Sequence, residues 1–206
     1  SEFKKEAFTL FEGLLEKIKN DIIKFLLNLN IVVSNDIVVI KTAVKLILPG
    51  VGSFSSAMDS IRRINIDECL TEEVLVKEKP ILGICLGMQL MCKSSTEEGF
   101  NKGLGFVDGT IKKFTNSGIK IPHIGFNQVC SNKNSKLFTG INPLSDFYFV
   151  HSYRMESNAE INQSFCHYDG NFISSYEVGN IAGVQFHPEL SQTNGLKLLN
   201  NFITYF

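Results

Sequence analysis

The sequence predicts an α/β fold in which a mostly parallel sheet is flanked by helices. Two observations carry this. Short apolar runs at 31–33, 46–48, 81–84, 147–150, 172–174 and 181–186 are bounded by Gly and Pro, the punctuation of strands. Stretches with helical spacing fall between several of them, at 55–63, 69–77 and 87–93, and a further one closes the chain at 195–205. A strand that returns parallel to its neighbour needs such a crossover, so the alternation points to a parallel core covered on both faces.

In chain order, residues 2–29 carry apolar side chains at Phe8, Phe11, Leu15, Ile18, Ile22, Phe25, Leu26 and Leu29, with Lys and Glu between them. That spacing predicts one long amphipathic helix, an atypical N-terminal segment (1–29) ahead of a single domain (30–206). After Asn30 the short apolar runs begin. The segment 100–129, rich in Gly and β-branched residues, reads as an antiparallel extension. No repeat, low-complexity tract or linker interrupts the pattern, and 206 residues with 44% hydrophobic content can bury one sizeable core.

Charge and cysteine usage narrow the function. Lys+Arg number 20 against 21 Asp+Glu, so no global basic field exists to attract nucleic acid or anionic lipid. Apolar runs such as 22–33 are broken by Lys24, Asn28 and Asn30, short of the ~18–20 residues a membrane span needs. No secretory leader pattern opens the chain, and the five cysteines are irregularly spaced, which fits a reducing cytoplasm. Without a Cys-x-x-Cys pair or clustered histidines, the expectation is an enzyme with neither metal nor cofactor.

Ile81-Leu82-Gly83-Ile84-Cys85-Leu86-Gly87-Met88-Gln89 is an apolar strand running into Gly-x-Cys-x-Gly and a helix start. This is the cysteine form of a nucleophile elbow, a tight turn whose flanking positions must lack bulk where strand and helix approach. The amide N–H of Leu86 then faces the place where an oxyanion would form. Taken alone the pattern would also fit a buried, inert cysteine, the reading given to Cys92. Further on, Gly183-Val184-Gln185-Phe186-His187-Pro188-Glu189 ends another apolar strand with two titratable groups around a proline. Pro188 keeps His187 extended, so both side chains can project from the strand end into one pocket. Cys85, His187 and Glu189 form a workable triad: nucleophile, proton carrier and orienter. Leu48-Pro49-Gly50-Val51-Gly52-Ser53-Phe54 follows a third strand, and Gly50 and Gly52 would expose backbone N–H groups to the same oxyanion.

Together, Pro49 to Phe54, Gly83 to Gln89 and Phe186-His187-Pro188-Glu189 resemble the class I glutamine amidotransferases in order and spacing. More narrowly, Pro122-His123-Ile124-Gly125-Phe126-Asn127 and Tyr148-Phe149-Val150-His151-Ser152-Tyr153 look like the glutaminase subunit of imidazole glycerol phosphate synthase, an ammonia-channelling enzyme of histidine biosynthesis. The resemblance implies a flavodoxin-like sheet, with the family's first strand replaced here by the N-terminal helix. It implies a γ-glutamyl thioester on Cys85, with His187 and Glu189 completing the triad. It also implies glutamine held by Gln89 and by the segment His151, Ser152 and Tyr153. The implied partner is a β/α-barrel cyclase subunit, docked as a heterodimer over the active-site mouth and switching on glutamine hydrolysis.

The sequence departs from that family at three places. The family opens with a strand and an Asp-Tyr-Gly-x-Gly-Asn loop, and residues 1–29 contain neither; 2–28 look instead like a helical piece of the preprotein translocase motor ATPase, or an ordinary amphipathic surface helix. Leu190 stands where the family carries a Lys that pairs with the cyclase, and Phe126 where it carries Trp. Phenylalanine fills similar apolar volume without an indole N–H. The alternatives are a paralogous glutaminase supplying ammonia for surface-sugar biosynthesis, a non-catalytic interaction module, and a related Cys–His peptidase.

Overall fold

The computed structural model describes residues 31–115, 118–168 and 170–206. The helix expected over 1–29, and with it the replaced first strand, lies outside the described residues. The elements are α1 (Ile37–Thr42), β1 (Leu46–Gly50), α2 (Phe54–Arg63), α3 (Ile66–Thr71) continued by a π-helical turn (Glu72–Val76), β2 (Ile81–Cys85), α4 (Leu86–Leu90), β3 (Cys92–Ser95), β4 (Asn101–Lys102), β5 (Val107–Lys113), β6 (His123–Cys130), β7 (Leu144–His151), β8 (Tyr153–Glu156), β9 (Ser164–His167), β10 (Asn171–Val178), β11 (Ile181–Val184), a 3-10 turn (Pro188–Leu190) and α5 (Gln192–Tyr205).

The α/β expectation holds, with a mixed rather than mostly parallel sheet. It runs β1-β2-β11-β10-β8-β5-β3-β4, with β9 joining β10 to the β6–β7 hairpin. The parallel core is β1-β2-β11, with Gly50 opposite Cys85 and Val184 opposite Ile84; β3 and β5 are also parallel. The other pairings are antiparallel, because turns as short as Gly179-Asn180 between β10 and β11 can only reverse the chain. As the Gly-rich composition of 100–129 predicts, β5 and β6 make antiparallel pairings, with β8 and with β7.

Every residue of β2 is buried, as a central strand covered on both faces must be. On one side lies a core containing Phe54, Met58, Leu70, Val74, Met88 and Tyr176. On the other lie Phe147, Phe149, Phe186, Leu198 and Phe202. Each of these aromatic rings removes a large apolar area from water. Among the described residues no helix is long and apolar enough to cross a membrane.

Two local expectations are corrected. Residues 31–33 form no strand: Val32 and Val33 are exposed, and the segment leads into α1, whose start is capped by Asp36 Oδ1 accepting from the Val38 N–H at 2.8 Å. Helix α1 is absent from the sequence reading because its Ile-Val-Val-Ile core carries β propensity that the cap overrides. The helix expected over 87–93 stops at Leu90. Its last turn is met by the N–H of Leu104 on the Leu90 carbonyl, and β3 starts at Cys92 to pair with β4 and β5.

Candidate active site

Strand order alone converges the predicted segments. The carboxyl ends of β1, β2 and β11 lie side by side, so Gly50, Cys85 and the Gln185-to-Glu189 stretch meet at one edge. Cys85 is the pivot. It has φ 53° and ψ −110°, a backbone geometry that non-glycine residues rarely adopt and that only a surrounding structure holds in place. The flanking glycines answer the elbow's steric demand. A Cβ on Gly87 would lie 1.7 Å from the Leu48 carbonyl oxygen, and one on Gly83 would lie 2.7 Å from the Met88 backbone. On β1, a Cβ at Gly50 would press against Leu86 and the Gly87 N–H at about 3 Å, so the glycine loop abuts the elbow. Gly52 has φ 102° with open space around its Cβ position. The structure therefore brings Gly50, Cys85 and Leu86 together.

His187 and Glu189 are both buried, and His187 Nδ1 lies 2.6 Å from Glu189 Oε1. A carboxylate on Nδ1 fixes that nitrogen as the N–H and leaves Nε2 free to carry a proton elsewhere. Among the described residues Nε2 is buried without a hydrogen-bond partner, and the ring interacts with the Cys85 thiol. Burial disfavours the imidazolium, yet interaction with Cys85 and with Glu189 outweighs it and raises the His187 pKa to about 10. The main chain of His187 is clamped as well: its N–H donates to the Tyr148 carbonyl at 2.8 Å, and its carbonyl accepts from Ser191 Oγ at 2.6 Å. Ser191 Oγ in turn accepts from the Tyr148 N–H.

Gln89 is buried one turn beyond the elbow. Its Nε2 donates to Gln185 Oε1 at 2.8 Å and to the Tyr153 carbonyl at 3.3 Å, so its Oε1 is the group left to meet a ligand. Of the segment His151, Ser152 and Tyr153, the Ser152 and Tyr153 carbonyls accept from the Phe114 N–H and from Gln89 respectively. The His151 ring turns into the core, with Nδ1 2.7 Å from the Tyr153 carbonyl and Nε2 3.0 Å from His123 Nδ1. Burial pulls the pKa of His151 down to about 3 and that of His123 to about 4, so both are neutral. Cys92 is an inert thiol, fully buried with its pKa pushed well up by desolvation.

Three neighbours escaped the sequence reading. Gln185 is fully buried, with Nε2 3.7 Å from the Cys85 sulfur. Ser191 clamps the His187 backbone, and Glu97 Oε2 accepts from the Phe54 N–H at 2.8 Å, tying the end of the glycine loop to the segment after β3. The available signal was position: Gln185 and Ser191 stand two residues outside His187 and Glu189.

A family model described as glutamine amidotransferase class-I matches residues 11–205. The chain belongs to the class I glutamine amidotransferases. Within this family, the imidazole glycerol phosphate synthase subunit HisH 1 of Campylobacter jejuni is 47% identical over 164 residues, 79% of this chain and 82% of that one. The HisH 2 subunit of Methanococcus maripaludis is 43% identical over 193 residues, 93% of this chain and 94% of the relative. Among solved structures, one described as a glutamine amidotransferase overlays with a TM-score of 0.69 at 15% identity, covering 92% of this chain and 89% of that one. The glutaminase domain of Trypanosoma brucei CTPS with bound acivicin gives 0.64 at 15% identity, over 97% and 90%. At that identity they establish the amidotransferase fold. The family match begins at residue 11, inside the segment the sequence reading set apart as an N-terminal helix.

Proposed function

We propose that this amidotransferase is the glutaminase subunit of an imidazole glycerol phosphate synthase, hydrolysing glutamine and passing ammonia to a synthase subunit for histidine biosynthesis. The observation that carries the chemistry is the buried His187–Glu189 pair with an unpartnered Nε2 beside the strained Cys85. The pathway rests on the identity to HisH subunits over most of the chain.

His187 takes the thiol proton and the Cys85 sulfur attacks the carboxamide carbon of glutamine. The carbonyl oxygen becomes an oxyanion, met by the backbone N–H of Leu86 and by the Gly50–Gly52 loop. Collapse breaks the C–N bond, the proton on His187 goes to the leaving nitrogen, and ammonia departs from a γ-glutamyl thioester. A water then attacks the thioester, gives its proton to His187, and glutamate and the Cys85 thiol are released. Interaction with Cys85 and Glu189 raises the His187 pKa, so the proton taken from the thiol is held on the imidazole until the leaving nitrogen needs it. Gln89 Oε1 accepts from the substrate ammonium, and the backbone of His151, Ser152 and Tyr153 borders the substrate. The synthase subunit, a β/α barrel, docks on the outer face of β6 and β7, where Ile124, Phe126 and Val150 are exposed.

The test is glutamate release by the chain with and without a synthase subunit and its substrate. The expected result is hydrolysis that needs the partner and falls by at least about 10³-fold in Cys85→Ala. An unchanged rate in that variant overturns the reading, and activation by an aminosugar-forming partner alone would move the chain to surface-sugar biosynthesis.

A further inference from the structure

We infer that Gln185 is a positioning residue of this site, which sets the orientation of the Gln89 carboxamide and donates a hydrogen bond to the nucleophilic sulfur. Gln185 follows β11 directly, beside Cys85 in the parallel register, and its backbone N–H is anchored on the Ser174 carbonyl at 2.8 Å. It is fully buried, so its carboxamide must find partners within the protein.

The polarity of the network follows from one atom. The Tyr153 carbonyl can only accept, so the Gln89 amide atom 3.3 Å from it must be nitrogen. The second hydrogen of that nitrogen goes to Gln185, 2.8 Å away, which must present oxygen there. The other end of the Gln185 carboxamide, 3.7 Å from the Cys85 sulfur, is then an N–H donor. Turning either amide over would set donor against donor or oxygen against carbonyl. The arrangement leaves Gln89 Oε1 free for a cationic group and supplies the sulfur with a neutral donor that adds no competing charge. A hydrogen bond to sulfur favours its anionic, attacking form.

The inference rests on the glutaminase reading for its kinetic part, and its chemical part can be read without turnover. The experiment compares wild type, Gln185→Glu and Gln185→Met. Cys85 alkylation by iodoacetamide is followed against pH by peptide mass spectrometry, and kcat and KM for glutamine are measured in complex with the synthase subunit. Gln185→Glu keeps the acceptor for Gln89, loses the donor to sulfur and sets a carboxylate beside it, so both changes disfavour the attacking thiolate. It is expected to hold KM within about three-fold, lower kcat about ten-fold, and slow Cys85 alkylation at neutral pH about ten-fold. Gln185→Met removes both bonds and is expected to raise KM about ten-fold in addition. A Gln185→Glu profile that matches wild type overturns the inference, and that variant decides it if Gln185→Met does not fold. A wild-type complex that alkylates as expected but releases no glutamate would overturn the glutaminase reading and leave the Gln185 inference standing.

Discussion

Gly87 and Gly52 are both needed, for different physical reasons, and the difference is measurable. At Gly87 a methyl group would collide with the Leu48 carbonyl at 1.7 Å, so elbow and β1 would have to separate. At Gly52 there is room for a methyl, and only the φ of 102° opposes it. Gly87→Ala is therefore expected to cost ~3 kcal/mol or more, and Gly52→Ala only ~1–2 kcal/mol, in denaturant unfolding. The reverse order would mean that the elbow is not packed against β1. The requirement at Gly83 and Gly87 was legible in the sequence because it is local, set by the distance of two residues from Cys85. Gln185 was not, because its role appears only when β11 is laid beside β2, 100 residues apart.

At the scale of elements, the β6–β7 hairpin carries a polar chain through an aromatic core. His123 lies between Tyr168 and Phe149, with ring centroids 3.9 and 4.8 Å away. Asn127 Nδ2 donates to His123 Nε2, His123 Nδ1–H to His151 Nε2, and His151 Nδ1–H to the Tyr153 carbonyl, which also accepts from Gln89. The Tyr153 carbonyl again fixes the direction of every bond. Both histidines have folded-state pKa values, about 4 and about 3, below the ~6.5 of an unfolded chain. The unfolded state thus takes up protons first as pH falls, so their contribution is complete above pH ~6.5 and is lost progressively below it. The thermal midpoint of wild type should fall more between pH 6.5 and 4 than that of His123→Phe, which keeps the stacking without the titrating ring. Equal falls would show that the pair is not buried and neutral. The sequence placed His123 in the extension over 100–129 and His151 at the end of the apolar run 147–150, but the pairing of the two needs the hairpin register. Residues 31–33 and α1 misled for the complementary reason, that β-branched residues describe a preference which the Asp36 cap and the absence of a ladder overrule.

Over the whole molecule, three parallel strands end together, and the Cys85, His187 and Glu189 segments lie where they end. The apolar runs and the glycines made that convergence readable, since strands 46–48, 81–84 and 181–186 each lead into a motif. The antiparallel majority among the described strand pairings was less so, because short turns look alike whether they reverse a strand or precede a crossover. The departures at Phe126 and Leu190 have a clear setting. Phe126 is half exposed and stands edge-on to Tyr148, 5.5 Å between ring centroids, and Leu190 ends the 3-10 turn that carries Glu189. Neither residue is a member of the Cys85, His187 and Glu189 constellation. In the proposed reaction Cys85 is the nucleophile. The most direct test is to treat the complex with a glutamine-analogue electrophile and map the adduct by mass spectrometry. The expected result is one adduct, on Cys85, lost when glutamine competes; an unmodified Cys85 in a complex that still releases glutamate would rule it out as the nucleophile.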